Sequence, residues 1–298
     1  MDVLERCVLC PRKCGINRKK GQTGYCGMSA DIKIARASLH MWEEPCISGE
    51  NGSGTVFFTG CPLKCVFCQN RNIAIGTTGK VISVERLAEI FLELQDKKAH
   101  NINLVTPTHF VPQIVEALSI AKREGLRIPI VYNTGSYETV ETLKLLDGLI
   151  DIYLPDCKYF DSELAKKYSN ASDYFEVANL AIAEMVRQVG EPKFAGNLMN
   201  RGVIVRHMIL PGHTKDSKKV IEKLYEEYGD NIYISIMNQY TPLAQMEQYP
   251  EINRKITQRE YEKVIDYAIS LGIENAFIQE GETAKESFIP DFESGIGI

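Results

Sequence analysis

The sequence predicts an α/β fold in which parallel strands form a partial TIM-like (β/α)6 barrel behind a short cysteine-rich N-terminal extension. From Thr55 onward, apolar runs alternate with amphipathic stretches about six times, and one spare short run closes the series. Such alternation indicates parallel strands joined by right-handed helical crossovers, and strands this apolar are typical of burial on both faces. A barrel and a doubly wound sheet both satisfy the pattern. We expect an extension over residues 1–50 and a barrel domain over residues 51–298.

Each predicted element follows from local periodicity and from end signals. The strands are predicted at TVFFTG, NINLVT, IPIVYNT, LIDIYLPD, VIVRHMIL and NIYISIMNQ, with NAFIQ as the spare strand. The helices are predicted at SVERLAEIFLELQDKKA, FVPQIVEALSIAKREG, ETVETLKLLDG, about Ser162 to Gln188, KDSKKVIEKLYEEYG and TQREYEKVIDYAISLG. Thr257 with Glu260 fits a capping box, and Gly125, Gly229 and Gly272 lie where helices should end.

Composition narrows the class of protein. The 298 residues include 34 Lys and Arg against 39 Asp and Glu, a net charge of −5, and the basic residues are scattered. A nucleic-acid partner is therefore not expected. The first residues lack the pattern of a signal peptide, and no run of about 18 apolar residues occurs. We expect a cytoplasmic enzyme with no membrane partner.

The cysteines are concentrated at the start of the chain. Eight of the nine lie within the first 68 residues, and Cys157 is the exception. A disulfide framework would explain an even number of them, but cytosolic thiols are kept reduced and these spacings are short. The pattern favours ligation of a metal or a cluster.

Three of these cysteines directly follow the first predicted strand. Cys61, Cys65 and Cys68 lie in GCPLKCVFCQN with a CxxxCxxC spacing. A structural zinc site normally takes four ligands, whereas three thiolates can hold three irons of a [4Fe-4S] cluster and leave the fourth iron open. A structural zinc site and a redox-only cluster are the alternatives to a catalytic centre.

This spacing, with the aromatic Phe67 before the last cysteine, resembles the motif of the radical S-adenosylmethionine (SAM) superfamily. The resemblance implies that Cys61, Cys65 and Cys68 are catalytic and hold the cluster. It also implies that the open iron chelates SAM, and that one electron from a donor such as flavodoxin or ferredoxin cleaves SAM to methionine and a 5′-deoxyadenosyl radical. From about Gly52 to Pro290 the chain is similar to the pyruvate formate-lyase activating-enzyme-like group, notably at GSGTVFFTGCPLKCVFCQN and IQEGETAKESFIPDF. Such enzymes take a hydrogen atom from a glycine of a partner protein, which becomes a glycyl radical enzyme.

The resemblance also implies where SAM is bound. The implied contacts are Phe67, Thr106, Thr108, Asn133, Ser136, Asp156, Lys158 and Arg206. Asp156-Cys157-Lys158 is similar to an Asp-x-Lys of the group, and alternation along a strand directs both charged side chains to one face, with Cys157 on the other. Thr106-Pro107-Thr108 departs from the Gly-Gly-Glu-like stretch that receives the SAM amino group in the family. Backbone carbonyls or a threonine hydroxyl can accept from an ammonium, and a proline-based turn is the alternative.

A second cysteine group precedes the barrel. Cys7, Cys10, Cys14 and Cys26 have a CxxCx3Cx11C spacing with glycine and proline between them. Four thiolates complete either a zinc site or an auxiliary [4Fe-4S] cluster, and the ligand set alone leaves both open. Cys46 either replaces one of these ligands or is a bystander.

Three functions are compatible with these observations. The first is an activating enzyme that acts on a glycine of a partner protein. The second is a radical SAM enzyme that modifies a peptide or a small molecule, which the missing Gly-Gly-Glu keeps open. The third is a metal or electron-transfer protein without catalysis.

Overall fold

The computed structural model describes residues 2–243 and 246–279, so residues 280–292 of the segment IQEGETAKESFIPDF lie outside the described part of the chain. The strands are β1 (Ile32–His40), β2 (Ser53–Phe58), β3 (Lys80–Ile82), β4 (Ile102–Val105), β5 (Ile130–Thr134), β6 (Ile152–Pro155), β7 (Lys193–Ala195), β8 (Leu198–Met208), β9 (Tyr233–Met237) and β10 (Ala276–Ile278). The α-helices are α1 (Pro45–Ser48), α2 (Arg71–Ala74), α3 (Val84–Asp96), α4 (Val111–Glu124), α5 (Val140–Lys144), α6 (Ser162–Ser169), α7 (Tyr174–Val189), α8 (Thr214–Tyr228) and α9 (Gln258–Ser270). Short 3-10 helices cover Arg18–Lys20, Thr108–Phe110, Gly229–Asn231, Met246–Gln248 and Pro250–Ile252.

One sheet carries the fold, with the strand order β10-β9-β8-β6-β5-β4-β2-β1-β3. The strands from β2 to β10 along this order are parallel, whereas β1 and β3 are antiparallel at one end and β7 pairs antiparallel with β8. Within the described residues no pairing joins β3 to β10, so the sheet is not closed through its strands. The α/β class and the partial barrel are confirmed.

The two faces of the sheet are packed differently. The main core lies between the strands and the long helices, where Tyr132 of β5 packs in one cluster with residues of α3 and α4. The opposite, inner face carries a smaller cluster in which Val131, Leu154 and Ile204 pack with Ile47 of α1. Successive strand residues alternate between the two faces. The next inner positions toward the carboxyl ends of these strands are therefore free for chemistry.

The sheet begins earlier in the chain than the boundary predicted at residue 50. β1 precedes that boundary and pairs with β2 from Ile34 to His40. Its sequence, IKIARASLH, mixes buried apolar residues with Lys33 and Arg36, and this hides the strand from a search for apolar runs. The antiparallel pair β1–β2 thus fixes the end of the extension to the first barrel strand.

The helix end signals are confirmed, with one difference. Thr257 and Glu260 form a capping box at α9, and Gly125 ends α4 in the left-handed conformation with φ of 112°. The helix expected from Ser162 to Gln188 is two helices. Asn170 ends α6 with φ of 49°, a conformation that asparagine tolerates better than most residues. No helix in the described residues is long and apolar enough to span a lipid bilayer.

Candidate active site at the carboxyl ends of the strands

The cysteine loop follows β2 at the carboxyl edge of the sheet. The backbone N–H groups of Leu63 and Lys64 donate to the sulfur of Cys61 at 3.4 and 3.5 Å. The sulfur of Cys65 accepts from the hydroxyl of Ser169 at 2.9 Å. Donors directed at sulfur stabilise a thiolate, which is the ligand form of cysteine.

The thiols of this loop are costly to ionise in the absence of a metal. Burial raises the pKa of Cys61 to about 11 and that of Cys68 to about 12, and neighbouring thiolates add to both shifts. A bound cation would offset this cost, because metal ligation deprotonates cysteine. Among the described residues, no three His, Cys, Asp or Glu side chains are arranged so that they could hold a metal ion. A [4Fe-4S] cluster binds each thiolate to a different iron, so its ligands need not surround one ion.

A cavity of about 270 Å³ lies beside this loop. Cys65, Phe67 and Cys68 form part of its wall. Phe67 is buried and packs edge-on against Tyr159, Tyr168 and Tyr240, so its ring also fixes the loop to the barrel. The remaining wall consists of His40, Trp42, Glu43, Phe57, Gln69, Asn70, Val105, Asn133, Asp156, Lys158, Arg206, Met208, Leu210, Met237 and Gln239.

A charged network crosses the cavity wall. Asp156 accepts from the Lys158 ammonium at 2.6 Å and from the Arg206 guanidinium at 2.9 and 3.0 Å. Arg206 also donates to the side-chain oxygen of Asn133 at 2.7 Å. Period-2 alternation explains why these side chains lie together. Asn133 is two residues after Val131, and Arg206 is two residues after Ile204, so both point to the inner face of the sheet. The structure thus brings together four of the residues that the resemblance implies for SAM.

The electrostatics of this network favour its charged forms. Burial alone would raise the pKa of Asp156, but Lys158 and Arg206 outweigh it and hold that pKa below its usual value. Burial would lower the pKa of Lys158 and of Arg206, but the Asp156 carboxylate raises both. The site therefore holds charges of both signs. The ammonium and carboxylate of a zwitterionic amino-acid group can pair with them in turn.

Glu43, which was not predicted from the sequence, completes the network. Its carboxylate accepts from Arg206 at 3.3 Å, from Asn103 at 3.0 Å and from Asn133 at 3.4 Å. The neighbouring Glu44 is buried and accepts from the hydroxyl of Ser235 at 2.7 Å. Both glutamates come from the segment between β1 and α1. Their only signal in the sequence is a pair of acids between a tryptophan and the proline that begins a helix.

Three residues implied for SAM do not line the cavity. Thr106 has φ of 57° at the end of β4, and the buried Thr108 donates to Glu138 at 2.7 Å. Ser136 is buried with φ of 62°, and its hydroxyl has no partner within the described residues. Val105, the last residue of β4, lines the cavity, but the 3-10 turn at Thr108–Phe110 that follows it is buried outside the lining. The structure gives no support for SAM contacts through these side chains.

The residues expected to point away from the site do so. Cys157 is buried in the main core, and His207 donates to or accepts from the Cys157 carbonyl through Nδ1 at 2.7 Å. Burial lowers the pKa of His207 to about 4, so it is a neutral core histidine at pH 7. Cys46 packs in the inner-face cluster with Ile47 and Val131, which makes it a bystander to the N-terminal cysteines.

A groove of about 1200 Å³ continues from the cavity. Trp42, Glu43, Arg206, Met237 and Gln239 line both spaces. The groove runs between the segment around α1 and the last two strands, where Met41 and Ile278 are exposed. A polymer chain in the groove would therefore reach the charged cavity and the cysteine loop.

Comparison with known proteins decides the family. The model of the radical SAM superfamily matches residues 55–224, more than half of the chain. The chain belongs to the radical SAM superfamily. An uncharacterized protein of Methanocaldococcus jannaschii is 30% identical over 279 residues, which cover 90% of this chain and 75% of that protein. A pyruvate formate-lyase-activating enzyme of Clostridium pasteurianum is 26% identical over 206 residues, or 61% of this chain and 84% of that enzyme.

A solved structure confirms the fold of this radical SAM protein. SuiB of Streptococcus suis bound to S-adenosylmethionine superposes with a TM-score of 0.52 at 17% identity. The match covers 78% of this chain and 52% of SuiB, so this chain accounts for about half of that structure. The family implies a [4Fe-4S] cluster and SAM. The residues present fit both, because sulfur-directed donors and a cavity with paired charges lie at the same loop.

The N-terminal cysteines of this radical SAM protein lie close together. Burial, together with smaller contributions from the thiolates of Cys26 and Cys7, raises the pKa of Cys10 to about 12. Burial also raises the pKa of Cys26, with contributions from Cys7 and Cys14. The backbone N–H of Tyr25 donates to the Cys14 sulfur at 3.3 Å. These electrostatic contributions place the four thiols near one another, although within the described residues no three of them are arranged to hold a single metal ion.

Proposed function

We propose that this enzyme cleaves SAM and takes a hydrogen atom from a glycine of a partner protein, as an activating enzyme does. When bound, a [4Fe-4S] cluster held by Cys61, Cys65 and Cys68 would supply the electron that cleaves SAM to methionine and a 5′-deoxyadenosyl radical. That radical takes the glycine Cα hydrogen, which leaves 5′-deoxyadenosine and a glycyl radical. The electron comes from a donor such as flavodoxin or ferredoxin, and the setting is the cytoplasm. The residues of this chain orient SAM and admit the partner.

The charged network would hold the amino-acid end of SAM. Arg206 and Lys158 carry the donors that a carboxylate requires, and both line the cavity next to Cys65 and Cys68. Glu43 would receive the SAM ammonium, the role that Gly-Gly-Glu has in the resembling group. Of the two acidic side chains in the cavity wall, Asp156 comes from a strand end and Glu43 comes from the segment between β1 and α1. Glu43 forms an ion pair with Arg206.

The main support for a protein substrate is that the groove is continuous with the cavity. A small-molecule site is usually enclosed on most sides. Here five residues belong to both spaces, and the groove is several times larger than the cavity. A loop of a partner protein in the groove could present a glycine to the cavity. The similarity to an activating enzyme supports the same class of substrate.

The N-terminal extension is proposed to hold its own metal group on Cys7, Cys10, Cys14 and Cys26. Zinc and a second [4Fe-4S] cluster are the two candidates, since both accept four thiolates. In either case the part of residues 1–50 that precedes β1 would be a metal-stabilised module, whereas β1 and α1 pack with the barrel domain of residues 51–298.

A deuterium-transfer experiment tests the proposed substrate. The reconstituted enzyme is incubated anaerobically with SAM, dithionite and a panel of glycyl radical proteins, including pyruvate formate-lyase, each made with α-deuterated glycine. We expect deuterium in 5′-deoxyadenosine and a glycyl radical signal in electron paramagnetic resonance (EPR) spectra with at least one protein. Formation of 5′-deoxyadenosine without deuterium from any of them would instead favour a peptide or small-molecule substrate.

A groove variant separates substrate docking from SAM cleavage. Met41 is 44% exposed and lines the groove but not the cavity. Met41→Glu should reduce deuterium transfer from the protein substrate and leave 5′-deoxyadenosine formation without substrate unchanged. Val81→Glu is the matched control, because Val81 is 64% exposed on β3 outside the groove. Equal transfer by both variants would remove the groove from the proposal.

A further inference from the structure

A hydrogen-bonded pair of side chains ends on one cysteine of the catalytic loop. Ser169 is buried at the last position of α6, and its hydroxyl donates to the Cys65 sulfur at 2.9 Å. Tyr159, also buried, lies 2.8 Å from the same hydroxyl oxygen. A serine hydroxyl has one hydrogen. Since that hydrogen is directed at Cys65, Tyr159 donates to Ser169, and the chain runs from Tyr159 through Ser169 to the sulfur.

The N-terminal extension holds the backbone of the same serine. Arg12 donates to the carbonyl of Ser169 at 3.0 Å and to the carbonyl of Asn170. It also donates to the carbonyl of Pro62, in the cysteine loop, at 2.9 Å. The last carbonyls of a helix have no partner within the helix, and a cation is favourable there. One guanidinium thus caps α6 and joins it to the loop.

Aromatic contacts fix the position of Arg12. Its guanidinium lies 4.0 Å from the ring centre of Tyr25 and 5.0 Å from that of Tyr137. Both distances are within the range of a cation–π contact. Arg12 lies between Cys10 and Cys14 in the chain, so the N-terminal cysteine module and the catalytic loop are connected through this side chain.

We propose that Ser169 and Arg12 are positioning residues that set the reduction potential of the cluster on Cys61, Cys65 and Cys68. The proposal rests on the proposed cluster but not on its substrate. Hydrogen bonds to the sulfurs are one determinant of the reduction potential of a cluster. They stabilise the reduced cluster, which carries one more negative charge than the oxidised cluster, and so raise the potential. Ser169 supplies such a bond, and Arg12 keeps Ser169 in the position that makes it. The extension thereby makes one-electron reduction of the cluster easier.

An anaerobic redox titration in the absence of SAM tests this. The signal is the EPR spectrum of the reduced cluster during reduction by dithionite. Ser169→Ala should shift the potential to a more negative value. Tyr159→Phe should shift it in the same direction by less, since it only weakens the Ser169 donor. The matched control is Ser119→Ala, an exposed serine of α4, which should leave the potential unchanged.

Arg12→Lys tests the second residue, because lysine keeps the charge but loses the planar fork that reaches three carbonyls. It should shift the potential to a more negative value in the native background and add little in the Ser169→Ala background. An equal shift in both backgrounds would overturn the role of Arg12. A wild-type potential in Ser169→Ala would overturn the whole inference. If that variant does not retain iron and sulfide, a wild-type potential in Tyr159→Phe overturns it.

The outcome is independent of the proposed function. A shifted potential without any 5′-deoxyadenosine would leave the tuning intact and refute SAM cleavage. Unchanged potentials with normal 5′-deoxyadenosine formation would refute the tuning and leave SAM cleavage intact.

Discussion

Glu43 and Arg206 form an ion pair of 3.3 Å across the cavity although 163 residues separate them in the chain. Their side chains are 9% and 16% exposed, so water screens the pair weakly. Arg206 also forms two shorter contacts with Asp156, at 2.9 and 3.0 Å, so Glu43 is the more weakly bound of its two acidic partners. An incoming ammonium group could therefore replace Arg206 as the partner of the Glu43 carboxylate.

Replacement of this carboxylate should weaken SAM binding. Glu43→Gln keeps the size of the side chain and one acceptor oxygen but removes its charge. Hydrogen bonds to charged groups contribute about 1.5–3 kcal/mol, which corresponds to roughly tenfold to hundredfold weaker affinity. Equilibrium dialysis of SAM with the reconstituted protein gives the dissociation constant. Glu50→Gln, on the groove but outside the cavity, is the control and should bind like the native protein. Native affinity in Glu43→Gln would refute the assignment.

The pH dependence of stability should include a contribution from Glu138. Burial raises the pKa of this carboxyl to about 7, against hydrogen bonds from Thr134, Thr108 and Tyr132 that lower it. A pKa raised on folding means that the folded state retains a proton that the unfolded state has lost. Stability from this group is thus complete below the unfolded pKa and falls as pH rises toward 7, by roughly 3 kcal/mol in total.

Urea unfolding at several pH values between 5 and 8 measures this contribution. The free energy of unfolding of Glu138→Gln, relative to the native protein, should rise with pH over this interval. The exposed Glu176 of α7 provides the control, and Glu176→Gln should follow the native protein at every pH. If the native protein and Glu138→Gln change in parallel with pH, Glu138 does not carry the proton.

The N-terminal cysteines should bind metal without the catalytic loop. A variant with Cys61, Cys65 and Cys68 changed to alanine should retain one metal group per chain, detected by elemental analysis. About one zinc or about four irons distinguishes the two candidates. Further change of Cys10 and Cys26 should remove the metal, whereas change of the buried core Cys46 should not. A metal-free triple variant would contradict the proposed module.

The sequence was sufficient for the features that depend on local pattern. Apolar periodicity located the parallel strands and most helices, and period-2 alternation placed Asp156 and Lys158 on one face with Cys157 on the other. The spacing of Cys61, Cys65 and Cys68 located the loop beside the cavity. All of these follow from neighbours within a few residues in the chain.

The remainder depends on tertiary contacts. Glu43 reaches the cavity because β1 pairs with β2, and neither the strand nor the contact leaves a clear periodic signal. Thr108 lies at the expected strand end, but a single 3-10 turn directs its hydroxyl to Glu138. The bond from Ser169 to Cys65 joins residues 104 apart. Side-chain direction at the strand ends therefore limited the prediction of the site.

The most direct test of the account measures 5′-deoxyadenosine after anaerobic reconstitution with iron and sulfide, with SAM and dithionite present. The native protein and Cys157→Ala, which changes a core cysteine, should both form it. Cys65→Ala should not form it, because one iron loses its ligand. Absence of 5′-deoxyadenosine from the reconstituted native protein, or its undiminished formation by Cys65→Ala, would contradict SAM cleavage at this loop.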